Sequence, residues 1–86
     1  MNIDVIKNEK QIVELHIDNA TIAEVLRVYL YKAGVNFAAW RKEHPSKPLL
    51  FRIESKDASV KKLVSGAISE INGDCAKIIS SLKKVL

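Results

Sequence analysis

The sequence predicts an α+β fold of order ββαββα, with a four-stranded antiparallel sheet, two helices on one of its faces, and a long C-terminal helix. Three observations predict it. Four short segments alternate apolar and polar residues at period two. Two segments repeat apolar residues at helical spacing. Gly34, Pro45 and Pro48 stand between them as breaks.

The first strand runs from Asn2 to Ile6, with Ile3 and Val5 on one face. A polar stretch, Lys7 to Lys10, separates it from a second strand at Ile12 to Ile17. There Val13, Leu15 and Ile17 face one way and Glu14 and His16 the other. Two such strands around a polar turn read as a hairpin. A helix follows at 21–33. Thr21 with Glu24 three residues later has capping-box spacing. Ile22, Val25, Leu26, Tyr29, Leu30 and Ala33 form its apolar set, and Gly34 suits a left-handed C-terminal cap. The third strand is Val35 to Arg41, placing Val35, Phe37 and Ala39 on one face and Asn36, Ala38 and Trp40 on the other. Pro45 and Pro48 bracket a loop, because proline cannot donate to a sheet ladder. In the fourth strand, Leu49 to Glu54, Leu49, Phe51 and Ile53 oppose Arg52 and Glu54.

The last helix starts at Asp57. Its apolar set is Val60, Leu63, Val64, Ala67, Ile68, Ile71, Cys75, Ile78, Ile79, Leu82 and Val85. From Ala58 to Leu86 it would measure about 43 Å at 1.5 Å per residue. A compact chain of this size is only ~30 Å across, from a radius of gyration of ~12 Å. The overhanging end is still apolar: Ile78, Ile79, Leu82, Val85 and Leu86. Exposing large apolar side chains forgoes about 1.5–3 kcal/mol each, so such a row points to a protein partner. Most apolar residues on an amphipathic helix are simply core, so Val60 through Ile71 read equally well as core or as partner contact. Gly66 and Gly73 each weaken the helix by about 1 kcal/mol relative to alanine, and small residues in a helix often mark close packing.

The whole chain, 1–86, reads as one domain. At this size only about 60–65% of the unfolded surface is buried, yet 48% of residues are hydrophobic. No run approaches the ~18 apolar residues of a membrane span, and the first ten residues lack a signal-peptide core. The expectation is a cytoplasmic protein without membrane contact. One cysteine, Cys75, excludes an internal disulfide. Fourteen Lys and Arg against ten Asp and Glu give +4, spread along the chain rather than gathered in a stripe.

Catalytic and metal chemistry find no support. Asp4 and Asp18 stand at strand ends beside turns. His16, His44 and Cys75 are too few for a zinc site. Cys75 falls on an apolar helix stripe, where a free cysteine is usually a small buried hydrophobe. His44 before Pro45 reads as ordering a loop. No phosphate loop and no cofactor site are present in the pattern. Trp40-Arg41-Lys42, with His44 and Lys47, is the strongest hint of nucleic acid, an aromatic residue on the open sheet face beside basic residues. Protein contact is the preferred reading of the same residues, and no direct nucleic-acid contact is expected.

Two stretches resemble a known family, the small alpha-like dimerisation subunits of multisubunit RNA polymerases to which archaeal subunit L belongs. Thr21-Ile22-Ala23-Glu24-Val25-Leu26-Arg27 is similar to that family's His-Thr-Leu-Gly-Asn-Leu-Leu-Arg helix start. Thr21, Ile22, Leu26 and Arg27 match, while Ala20 stands for the histidine and Glu24 for the asparagine. Val35-Asn36-Phe37-Ala38-Ala39-Trp40, followed by His44-Pro45, is similar to Val-x-Phe-Ala-x-Tyr leading to Pro-His-Pro. Trp40 replaces the tyrosine and Glu43 the first proline. The resemblance implies a fold like the dimerisation domain of the polymerase alpha chain, and a non-catalytic assembly subunit of DNA-directed RNA polymerase. A D-like polymerase subunit would be its heterodimer partner, and the pair the platform for the large catalytic subunits. Nucleotidyl transfer would belong to the complex, with the active site elsewhere. The partner-binding residues expected are Ile22, Leu26, Arg27, Tyr29 and Leu30 on the first helix, and Ile68, Ile71, Cys75, Ile78 and Leu82 on the second. Two other readings stand beside this one: a small RNA- or DNA-binding domain, and a stand-alone homodimeric interaction module.

Overall fold

The computed structural model describes residues 3–85. Its elements are β1 (Ile3–Asn8), β2 (Ile12–Ile17), α1 (Ala20–Ala33), β3 (Phe37–Arg41), β4 (Leu49–Glu54) and α2 (Val60–Val85). All strand pairs are antiparallel, in the order β1-β2-β4-β3. The α+β class and the element order are those the sequence predicts. The expected first strand residue, Asn2, and the last residue of the apolar row, Leu86, lie outside the described residues.

Register fixes the two faces of the sheet. Leu15 pairs with Phe51 and Phe51 with Trp40, while Val13 pairs with Ile53 and Ile53 with Ala38. These side chains point toward the helices. Ile17, Leu49, Phe51, Ile53, Ala38 and Val35 join Ala23 and Leu30 of α1 and Val60 and Ala67 of α2 in one core. The opposite face is polar, with Asp4 beside His16 and Glu14 beside Arg52. There Arg52 donates to Glu14 at 3.0 Å and to Glu54 at 2.8 Å. These oppositely charged cross-strand neighbours suit a solvated sheet face. β1 carries an irregularity between Val5 and Lys7, so Ile6 has no partner in the β2 register.

Four boundaries differ from expectation, the first being β1, which runs on to Asn8 instead of ending at Ile6. β3 starts at Phe37, not Val35, because the helix end uses the preceding residues. Gly34 takes φ 107°, and the N–H groups of Gly34 and Val35 both donate to the Leu30 carbonyl. The cap of α1 is Asn19, not Thr21. Its side chain accepts from the Ile22 N–H at 3.1 Å, and Glu24 is engaged elsewhere. α2 starts at Val60, with Ser59 Oγ accepting from the Lys62 N–H at 3.3 Å. The Val60 N–H donates to the Lys10 carbonyl at 2.9 Å, tying the helix start to the β1–β2 turn.

α2 is continuous through Gly66 and Gly73 for 26 residues, about 39 Å. The molecule measures 43 × 35 × 16 Å, with a radius of gyration of 14.4 Å. A compact chain of this length would have ~12 Å. The difference reflects a thin two-layer body with a projecting helix.

Candidate protein interface

α1 is anchored on three sides. Arg27 donates to both carboxylate oxygens of Glu24, at 2.8 and 2.7 Å, and the indole N–H of Trp40 donates to Glu24 Oε1 at 3.1 Å. The Arg27 bonds first, then the Trp40 bond, hold the Glu24 carboxyl down at about 2, and the bonds to Glu24 raise the Arg27 guanidinium above its ordinary range. Farther along, Tyr31 accepts from the Ala38 N–H at 3.1 Å and joins α1 to β3. Tyr29 donates to Asp74 Oδ2 at 2.6 Å, which joins α1 to the middle of α2. That bond is the first cause of a raised Tyr29 phenol pKa. The Lys32 ammonium lies 4.9 Å from the Tyr29 ring centre, a cation–π distance.

α2 changes character along its length. Val60 and Ala67 are fully buried, and Leu63 and Val64 pack against the core. Beyond Ile71 the same stripe loses its cover. Ile78 is 59% exposed, Leu82 53% and Val85 82%. Cys75, expected on a buried stripe, is exposed.

The structure brings the expected interface residues onto one helix layer, with one exception. Leu30 is fully buried and belongs to the core, so it is not available to a partner. α1 is apolar on most of its circumference, and periodicity alone does not say which side meets the sheet. Ile22 and Ile68 are exposed, at 39% and 47%. Leu26 and Tyr29 are half-buried at the edge of the core, and Ile71 and Arg27 are half-buried. Exposed Val25 and Val28 lie on α1 as well.

One part of the apolar surface is not evident from the sequence. β1 is an edge strand, and its Ile3 and Val5 are exposed on the helix side. Between this hairpin and the helices runs an apolar groove of about 350 Å³ lined by Val5, Val13, Leu15, Leu26, Val60 and Val64. The alternation of Ile3 and Val5 marks the face. Only the strand order, which puts β1 outermost, shows that the helices leave it open.

Trp40 corrects another expectation. It lies on the helix side, packed against the core and bonded to Glu24, and not on the open face of the sheet. Phe37 is the exposed aromatic there, at 42%. A stacking platform at Trp40 beside Arg41 and Lys42 is therefore absent. His44 orders its loop as expected, with Nδ1 accepting from the Ser46 N–H at 3.2 Å and the Ser46 hydroxyl at 2.8 Å. Among the described residues no three His, Cys, Asp or Glu side chains are placed to hold a metal ion. No described helix is long and apolar enough to cross a membrane.

No protein-family model and no curated protein sequence matches the chain. Its fold does match a solved structure. DNA-directed RNA polymerase subunit L from Thermoplasma acidophilum superposes with a TM-score of 0.81, covering 96% of this chain and 86% of that one, at 17% sequence identity. The fold is that of RNA polymerase subunit L. The likeness extends over almost the whole chain, so the sheet, both helices and the projecting end of α2 are all parts of the subunit L fold. The sequence motifs around Thr21 and Phe37 lie at the start of α1 and at the start of β3.

Proposed function

We propose that the chain, 1–86 as one unit, is a non-catalytic assembly subunit of a DNA-directed RNA polymerase. The observation that carries this reading is the subunit L fold over 96% of the chain. In this reading the helix layer pairs with a D-like polymerase subunit. Ile22, Leu26 and Tyr29 of α1, with Ile68, Ile71, Cys75, Ile78 and Leu82 of α2, form the contact. The exposure of most of these side chains and the length of α2 support it, since apolar area left open in one chain is what a permanent partner covers. Arg27, held by Glu24, presents a fixed charge at the rim, against the partner or a large subunit. The heterodimer is then the cytoplasmic platform on which the large catalytic subunits assemble, and the chain makes no direct contact with nucleic acid.

The test is purification of the tagged chain from its native cell at moderate salt, with every component identified by mass. Recovery of a D-like protein and the large subunits is the expected result. Recovery without any polymerase component sinks the reading.

A further inference from the structure

The open face of the sheet is largely polar, yet it carries the exposed ring of Phe37. Along β3 the same face holds Phe37, Ala39 and Arg41, and Ala39 pairs with Arg52 of β4. A small residue among three large ones leaves a hollow of about 340 Å³, lined by Phe37, Ala39, Arg41, Leu50, Arg52 and Glu14. A second hollow of about 480 Å³ also borders Phe37 and takes in Glu54 and Lys56. Two walls of the first hollow suit a flat ring. Phe37 is an aromatic neighbour. The Arg52 guanidinium donates to Glu14 at 3.0 Å and to Glu54 at 2.8 Å, so it is a fixed plane on which a ring can stack. Charge selects further. Across the two hollows Arg41, Arg52 and Lys56 stand against Glu14 and Glu54, three positive groups to two negative. Arg52 is satisfied by the two carboxylates. Arg41 has a looser ion pair, with Glu43 at 3.7 Å, and both side chains are exposed. One carboxylate beside the ring completes this balance. A polyanion would meet Glu14 and Glu54 as well.

We propose that the hollow over Ala39 seats an aromatic ring from a partner protein. The ring is presented by an extended segment that carries an aspartate or glutamate two positions away. Spacing fixes this motif. Ala39, under the ring, and Arg41, which meets the carboxylate, are two residues apart on a strand, about 7 Å. An extended segment lying along β3 repeats its side chains on one face at that same distance, whereas adjacent residues point to opposite faces. The outer edge of β3 is not the site, because the Tyr31 hydroxyl already accepts from the Ala38 N–H at 3.1 Å. The segment therefore lies on the face, where the hollow and Arg41 give it specificity. This face is across the sheet from the helix layer, so the proposal does not depend on the assembly role.

The probe is a capped peptide, Ser-Tyr-Ser-Glu-Ser, titrated into the isotope-labelled chain and followed by amide NMR shifts. Shifts on β3 and β4 are expected, with half-saturation at about 1 mM or below. Phe37→Ser and Arg41→Glu, both at exposed positions, should each weaken binding about tenfold. Far-ultraviolet circular dichroism checks that both variants fold. The Arg41→Glu variant should instead take Ser-Tyr-Ser-Lys-Ser, an exchange of charge that a merely structural effect would not produce. Ser-Tyr-Glu-Ser-Ser, with ring and acid adjacent, should bind the wild-type chain about tenfold more weakly. An absence of shifts on β3 at several millimolar peptide, on the order of 5 mM, overturns the proposal. So do shifts confined to the helix layer, or equal binding of the peptide with ring and acid adjacent. A single-stranded oligonucleotide that moves the same amides at lower concentration overturns it in favour of nucleic acid. Failure of the assembly role would appear only in the native purification.

Discussion

The two halves of α2 carry nearly the same pattern and meet opposite fates. From Val60 to Ala67 the apolar stripe is taken up by α1 and the sheet, and Ile68 is already 47% exposed. From Cys75 to Val85 an equally apolar stripe faces solvent. Nothing in the local periodicity separates them. The difference lies in reach, since the helix is about 39 Å long and its core residues all lie between Val60 and Ala67. Hydrophobic spacing therefore says that a face is to be buried, and the geometry of the rest of the chain says by whom.

This contrast is open to direct attack. The largest effects should come from residues on opposite sides of the divide. Leu30→Ala, in the core, should cost about 2–5 kcal/mol of unfolding free energy, read by urea denaturation. Ile78→Asp should leave that stability within about 0.5 kcal/mol, as expected of an exposed site, yet reduce partner recovery at least about tenfold. A stability loss at Ile78 as large as that at Leu30 would erase the distinction. Next in size is Gly73→Ala. A Cβ there meets nothing within 4 Å in the single chain. The isolated chain should gain about 0.5–1 kcal/mol in the same denaturation. Unchanged partner binding by the variant would assign the glycine no part in the contact. The smallest effect concerns the anchored side of α1. The Arg27 and Trp40 bonds lower the Glu24 pKa from 4.5 to about 2. A depressed carboxylate contributes stability that is complete above pH 4.5 and lost as pH falls through about 2. Trp40 is the sole tryptophan, so its fluorescence should report that transition with a midpoint near 2. A midpoint near 4.5 would mean the clamp does not hold in solution.

Much of the architecture was legible in the sequence because each element carries its own signal. β2 and β4 alternate cleanly, Gly34 ends α1, and the spacing of α2 gives its excess length. What was missed depends on contacts between distant residues. Thr21 and Glu24 have capping-box spacing, but Glu24 is claimed by Trp40, sixteen positions on, and the cap falls to Asn19. Leu30 reads like its neighbours Ile22 and Leu26, and only the placement of the sheet makes it core. The side on which Trp40 lies follows from its pairing with Phe51. The open groove follows from a strand order in which β1 is outermost. Sequence distance hides all four.

The unpaired residue in β1 bears on how the single chain stays in solution. An outer strand with Ile3, Val5 and Ile6 exposed is a template for indefinite strand-on-strand growth. The break in register at Ile6 bends that edge and interrupts its ladder after three residues on one side. Two such edges cannot zip together along their length, so fibril growth is blocked where the sequence most invites it. Straightening the strand by deleting Ile6 would turn a chain whose edge is guarded into one that precipitates.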